Sequence, residues 1–135
     1  MQISHPGGVF FEPLSVTLAA PDPGAEIRYT LNGSTPGATN GTRYTAPILI
    51  TNTVHLRTAA LAFDQVSRIS GASYLKLAAE LAGYSSSLPI MVIDNFGAGT
   101  IRQKGWNSTG AGLKQVPRQA AAWATFERVG GASAF

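Results

Sequence analysis

Trp106-Asn107-Ser108, set in a glycine-rich run, is the pattern in this chain best suited to holding a sugar. An exposed indole face stacks on a pyranose ring while adjacent amides and hydroxyls bond its hydroxyl groups. Trp106 and Asn107 are therefore the candidate carbohydrate contacts, and packing of the indole against a neighbouring domain is the competing explanation. Other chemistries find less support. The chain has 2 histidines, His5 and His55, and no cysteine, whereas zinc takes three or four ligands at short spacings. His55 alternates with apolar neighbours and reads as a surface or edge residue of a strand. Serines are common, yet no Gly-x-Ser-x-Gly elbow occurs, so no catalytic triad is nominated. Glycoside hydrolysis needs two acids flanking a cleft. Glu12 and Glu26 fall at expected strand ends and Asp22 and Asp64 in turns, where solvation accounts for them; Glu80 and Glu127 complete the set with Asp94. Asp94 closes an apolar strand before the glycine-rich run, and capping of that loop through side-chain to backbone bonds explains it. Gly97 and Gly99 imitate the start of a dinucleotide loop, but Arg102 stands where the third glycine is required. No catalytic residue, cofactor or metal ligand is assigned.

Composition sets the outer limits. With 135 residues the chain is one domain, or a small domain with part of another. A hydrophobic share of 44% against 13% charged is enough to bury a core, and 15 glycines with 8 prolines favour turns over long helices. The net charge of +3 is mild, and the basic residues are widely spaced with few aromatics between them. That is a solvated surface, not the one-sided basic stripe of a nucleic-acid binder. No stretch is long and apolar enough to span a membrane. Asn32, Asn40 and Asn107 each begin an Asn-x-Ser/Thr sequon, which Asn-Gly turns produce by chance.

The elements that must position these residues read as strands. Val9-Phe10-Phe11 is β-prone, and Leu14, Val16 and Leu18 alternate with Ser15 and Thr17. Ile27, Tyr29 and Leu31 alternate with Arg28 and Thr30, after which Asn32-Gly33 offers the positive φ angles of a tight hairpin-type turn. Pro36 cannot donate to a ladder, so pairing stops there. Two extended pieces flank Pro47, a longer strand spans residues 53–63 with Val54, Leu56, Thr58 and Ala60 on one face, and residues 66–77 supply the last. Strands and turns at this spacing describe a sandwich. Phe10, Phe11, Tyr29, Tyr74, Ile69 and Trp123 are expected in cores. Residues 78–87 read as a linker, including a run at 78–83 too short for an independent helix. Residues 88–94 begin a buried strand, and residues 120–129 are ambiguous: Trp123 and Phe126 have helical spacing, whereas Ala122, Ala124 and Phe126 form one face of a strand.

The string Ile27-Arg28-Tyr29-Thr30-Leu31-Asn32-Gly33-Ser34-Thr35-Pro36 resembles the "I-R-Y-T-x-D-G-S-x-P" signature of the chitobiase/β-hexosaminidase C-terminal module. Leu14-Ser15-Val16-Thr17-Leu18, Tyr44-Thr45-Ala46-Pro47-Ile48, the strand from Thr53 to Ala60 and Ser73-Tyr74 resemble its other elements in order and spacing. The resemblance implies an immunoglobulin-like β-sandwich over residues 7–77, with Ile27, Arg28, Tyr29, Thr30, Asn32, Gly33, Ser34, Pro36, Tyr44 and Pro47 as structural residues. Asn32 departs from the family's usual Asp, and both suit the turn. Residues 86–97, Ser-Ser-Leu-Pro-Ile-Met-Val-Ile-Asp-Asn-Phe-Gly, are similar to the entry segment of secreted bacterial proteins of the spore-coat CotH type, whose kinase-like domain would lie beyond Phe135.

These resemblances imply an all-β chain: a sandwich, a linker at 78–87, and the partial start of a β-rich domain at 88–135. The implied role is a non-catalytic accessory module of a larger secreted bacterial protein. Its partners would be neighbouring domains of the same chain, or polysaccharide. The first residues lack a signal peptide's basic start and apolar run, so the expectation is an internal piece of an extracellular or cell-surface protein, with residues 84–135 less ordered than residues 1–77.

Overall fold

The computed structural model describes residues 1–62, 65–95, 121–126 and 133–134. Among them the regular structure is all-β, apart from one 3-10 turn at Ala79–Leu81. The strands are β1 (Gln2–Ile3), β2 (Gly8–Phe10), β3 (Leu14–Val16), β4 (Leu18–Ala19), β5 (Glu26–Thr30), β6 (Thr42–Arg43), β7 (Ile48–Ile50), β8 (Val54–Ala62), β9 (Gln65–Val66), β10 (Ser70–Lys76), β11 (Ser85–Ser86), β12 (Ile90–Asp94), β13 (Ala122–Phe126) and β14 (Ser133–Ala134).

Two layers make the immunoglobulin-like sandwich. One is a six-stranded sheet in the order β2-β10-β8-β5-β6, with β9 returning on β8. The other joins β1 to β4 and β3 to β7, and β3 runs into β4 through Thr17 alone. The opening of the chain serves both layers: β1 pairs antiparallel with β4, and β2 pairs parallel with β10. Gly7 and Gly8, at φ 92° and 124°, make that crossing. A Cβ at Gly7 would lie 2.7 Å from the Ser73 carbonyl oxygen, so the close approach as well as the dihedral demands glycine.

The period-2 patterns of the sequence become the core. Val16 of β3, Leu18 of β4, and Ile48 and Ile50 of β7 meet Phe10, Leu56, Ala72 and Tyr74 from the facing sheet. Ile27, Tyr29, Leu31 and Val54 pack around them. Leu56 and Thr58 are wholly buried, and the Thr58 hydroxyl donates to the Arg28 carbonyl at 3.2 Å, so its burial leaves no polar atom stranded. Tyr74, also buried, donates its hydroxyl to the His5 carbonyl at 2.7 Å, tying the last sandwich strand to the chain just before the crossing glycines. Burial pushes the Tyr74 phenol above its usual pKa.

Within residues 120–129, Ala122–Phe126 is a strand. β13 pairs antiparallel with β12, with Ile93 opposite Trp123 and Met91 opposite Thr125. The cross-strand register outweighs the alanines' local helical preference. Trp123 is not a core residue: it is 67% exposed, on the same ribbon face as Met91 and Ile93. Indole burial needs a second layer, and among the described residues nothing covers that face. Ile69 is half-buried because it sits just outside β10, where the chain returns from β9. Ser85–Ser86 pairs with Ser133–Ala134.

Candidate functional site

The signature string builds two things from one run of residues. Its alternating half forms β5, with Ile27 and Tyr29 facing the core and Arg28 and Thr30 on the outer face. Its Asn-Gly-Ser-Thr-Pro half folds back over that outer face. Thr30 is buried there, although it points away from the core, and Pro36 is buried with it. The Thr30 hydroxyl donates to the Ser34 carbonyl at 2.5 Å. From β8, Arg57 Nη1 reaches the Gly33 carbonyl at 3.3 Å and Thr35 Oγ1 at 3.4 Å. The loop is a cover held to the sheet, not a free connection.

Asn32-Gly33 therefore does not form a two-residue hairpin turn. The hairpin partners are Tyr29 with Thr42 and Arg28 with Arg43, so the connection runs across residues 31–41. Asn32 instead makes a parallel bridge to His55: Gly33 N–H donates to the His55 carbonyl and His55 N–H to the Leu31 carbonyl, both at 2.9 Å. Gly33 has φ 76°, and a Cβ there would lie 2.8 Å from His55 Cδ2. Loop and histidine are thus fitted to each other. His55 is correspondingly not on an edge strand. It lies half-buried on β8, the strand between β10 and β5, with Nδ1 2.6 Å from Ser73 Oγ. Burial first, and the Arg57 charge second, hold its pKa below the ordinary 6.5.

Inside the loop a short network fixes the polar side chains. Asn32 Oδ1 accepts from Ser34 N–H at 3.1 Å and from the Ser34 hydroxyl at 2.8 Å. Asn40 Nδ2 donates to the Thr35 carbonyl at 2.6 Å and to Ser34 Oγ at 3.3 Å. Gly41, at φ 99°, closes the loop against the Tyr29 carbonyl. The first bonds are an Asx-type turn, which Asp would make equally well. At the foot of the hairpin Glu26 Oε1 meets Arg28 Nε at 2.6 Å, with Arg43 Nε at 3.5 Å from Oε2. The bond from Arg28 draws the Glu26 pKa below its usual value, with the charges of Arg28 and Arg43 adding to it.

The remaining candidates separate. Tyr44 is half-buried against the core and its N–H donates to the Ile27 carbonyl at 2.8 Å; Pro47 is exposed just before β7. Asp22 Oδ1 accepts from Gly24 N–H at 2.9 Å, a turn cap. His5 is exposed beside Ser4. Asp94 ends β12 opposite Ala122. Trp106, Asn107, Gly97, Gly99, Asp64 and Glu127 lie outside the described residues. Among the described residues, no three His, Asp or Glu side chains form a group able to hold a metal, and no helix is long and apolar enough to cross a membrane. Arg57 and His55 are the members of this site that sequence reading did not place there. No local signal links positions more than twenty residues apart across a sheet.

No curated protein and no solved structure gave a significant match to the chain. Residues 5–71, just under half of the chain and ending within β10, match the family model of the chitobiase/beta-hexosaminidase C-terminal domain.

Proposed function

We propose that this chain serves as a non-catalytic accessory module, its sandwich spacing and orienting a neighbouring domain of a larger protein. The observation that carries this reading is the family match over residues 5–71, to a domain named for its place at the C-terminus of chitobiase and beta-hexosaminidase. Surface composition supports it. Among the described residues, Leu49 and Val66 are the large hydrophobics left exposed in the sandwich, whereas Leu81, Tyr84, Leu88, Met91, Ile93 and Trp123 follow one another beyond it in sequence. Exposed apolar surface concentrated in one region marks a contact in waiting. The similarity of residues 86–97 to CotH-type entry segments extends the reading to a secreted bacterial protein with a kinase-like domain downstream.

The test is direct. The isolated chain, offered glycoside and phosphoryl-donor substrates, is expected to turn over neither. Efficient turnover of either class overturns the accessory role. The kinase-like extension requires coding sequence past Phe135 carrying acidic metal ligands; an in-frame stop there removes it.

A further inference from the structure

A groove of about 550 Å³ lies between the end of β5, the start of β6 and the loop, lined by Tyr29, Leu31, Asn32, Ser34, Asn40 and Thr42 among others. Its lining contains no Lys, Arg, His, Asp or Glu. A phosphate or carboxylate ligand would find no counter-charge there, and a purely apolar one would strand the amides and hydroxyls.

The network described above also fixes which end of each lining amide is left free. A backbone N–H can only donate, so the atom of Asn32 that accepts from Ser34 N–H is Oδ1, and Nδ2 is the free end. Asn32 is exposed, and among the described residues its Nδ2 hydrogens have no acceptor. A carbonyl can only accept, so the atom of Asn40 bonded to Thr35 is Nδ2, which leaves Oδ1 as an open acceptor. The occupied ends of both amides bond the same Ser34 hydroxyl, which holds the two side chains in one network beside the groove. A ligand carrying several hydroxyls, each able to donate and to accept, can serve both the free donor and the free acceptor. Because the amides are already held, binding would order few side chains. The geometry points to this groove as a binding site for a neutral polyhydroxylated ligand, a carbohydrate, with Asn32 and Asn40 as its recognition pair. The proposal does not use Trp106 and is independent of the accessory role, which concerns the neighbouring domain.

The full chain, labelled with nitrogen-15, would be titrated with cello-, xylo-, manno- and chito-hexaoses, and with trigalacturonate as an anionic comparison. At least one neutral oligosaccharide is expected to shift the amides of residues 29–42 saturably. Asn32→Asp keeps the Oδ1 acceptor and the turn but removes the donors, and is expected to weaken binding about tenfold or more with an otherwise unchanged spectrum. Thr42→Ile, at an exposed position on β6, crowds the groove without touching the loop network and is expected to weaken binding likewise. The inference is overturned if no neutral oligosaccharide shifts these amides, if the shifts map elsewhere, if trigalacturonate binds as tightly, or if Thr42→Ile binds unchanged.

Discussion

Gly33 and His55 show how much can rest on one contact. The glycine has a left-handed φ, which costs any other residue about 1 kcal/mol, and its missing Cβ leaves room for the imidazole edge. Gly33→Ala is expected to lower stability by about 2 kcal/mol in denaturant unfolding, the dihedral and the contact together. In a His55→Ala background the contact is gone, and only the dihedral cost of about 1 kcal/mol should remain. The histidine also titrates. Its folded pKa lies below the unfolded value, so the unfolded chain binds the extra proton first as pH falls. Its contribution is therefore complete above the unfolded value near 6.5 and is lost as pH drops through the lower folded value. His55→Gln, which keeps an acceptor for Ser73, should flatten the stability–pH curve in that window. An unchanged slope would assign the pH dependence to other groups.

At the scale of elements, β8 organises the sandwich. It pairs with β10 on one side and β5 on the other, presents Leu56 and Thr58 to the core, and holds the loop from its opposite face through His55 and Arg57. Leu56→Ala should cost about 2–5 kcal/mol, the range for removing a buried branched side chain where the surroundings cannot collapse. Because the loop is anchored to the same strand, that variant should also speed amide exchange at the loop's internally bonded Ser34. A stability loss below about 1 kcal/mol would mean the sheets can close over the gap. β12 and β13 differ in kind. Their register is continuous over five residue pairs, but a two-stranded ribbon has one face too many to bury.

For the whole molecule, the expectation is unequal stability. Among the described residues the buried hydrophobic side chains all fall between Phe10 and Leu75, and Leu77 N–H closes the core by donating to the Phe10 carbonyl at 3.0 Å. Residues 1–77 should therefore unfold as one unit and retain their exchange protection when the chain is cut after Leu77. Native-state hydrogen exchange is expected to show weaker protection along β12 than along β8 and β10. Equal protection throughout would mean that the later strands belong to the same cooperative unit.

The inner half of this fold was legible in the sequence. Alternation at Leu14–Leu18, Ile27–Leu31 and Val54–Ala60 selected the core-facing residues, because a strand's side chains change face at every step whatever the partner. The glycine and proline of the signature announced a backbone departure at 33 and a stop to pairing at 36. Tertiary structure alone decided where that departure leads. Reversal of the chain, or a cover over the sheet, satisfies the same dihedral, and the choice was made by His55 and Arg57, which reach the loop only after β8 has docked beside β5. The same reason explains Trp123. Periodicity assigns a residue to one face of its strand, but whether that face is buried depends on a second layer, and a layer is a property of the whole fold.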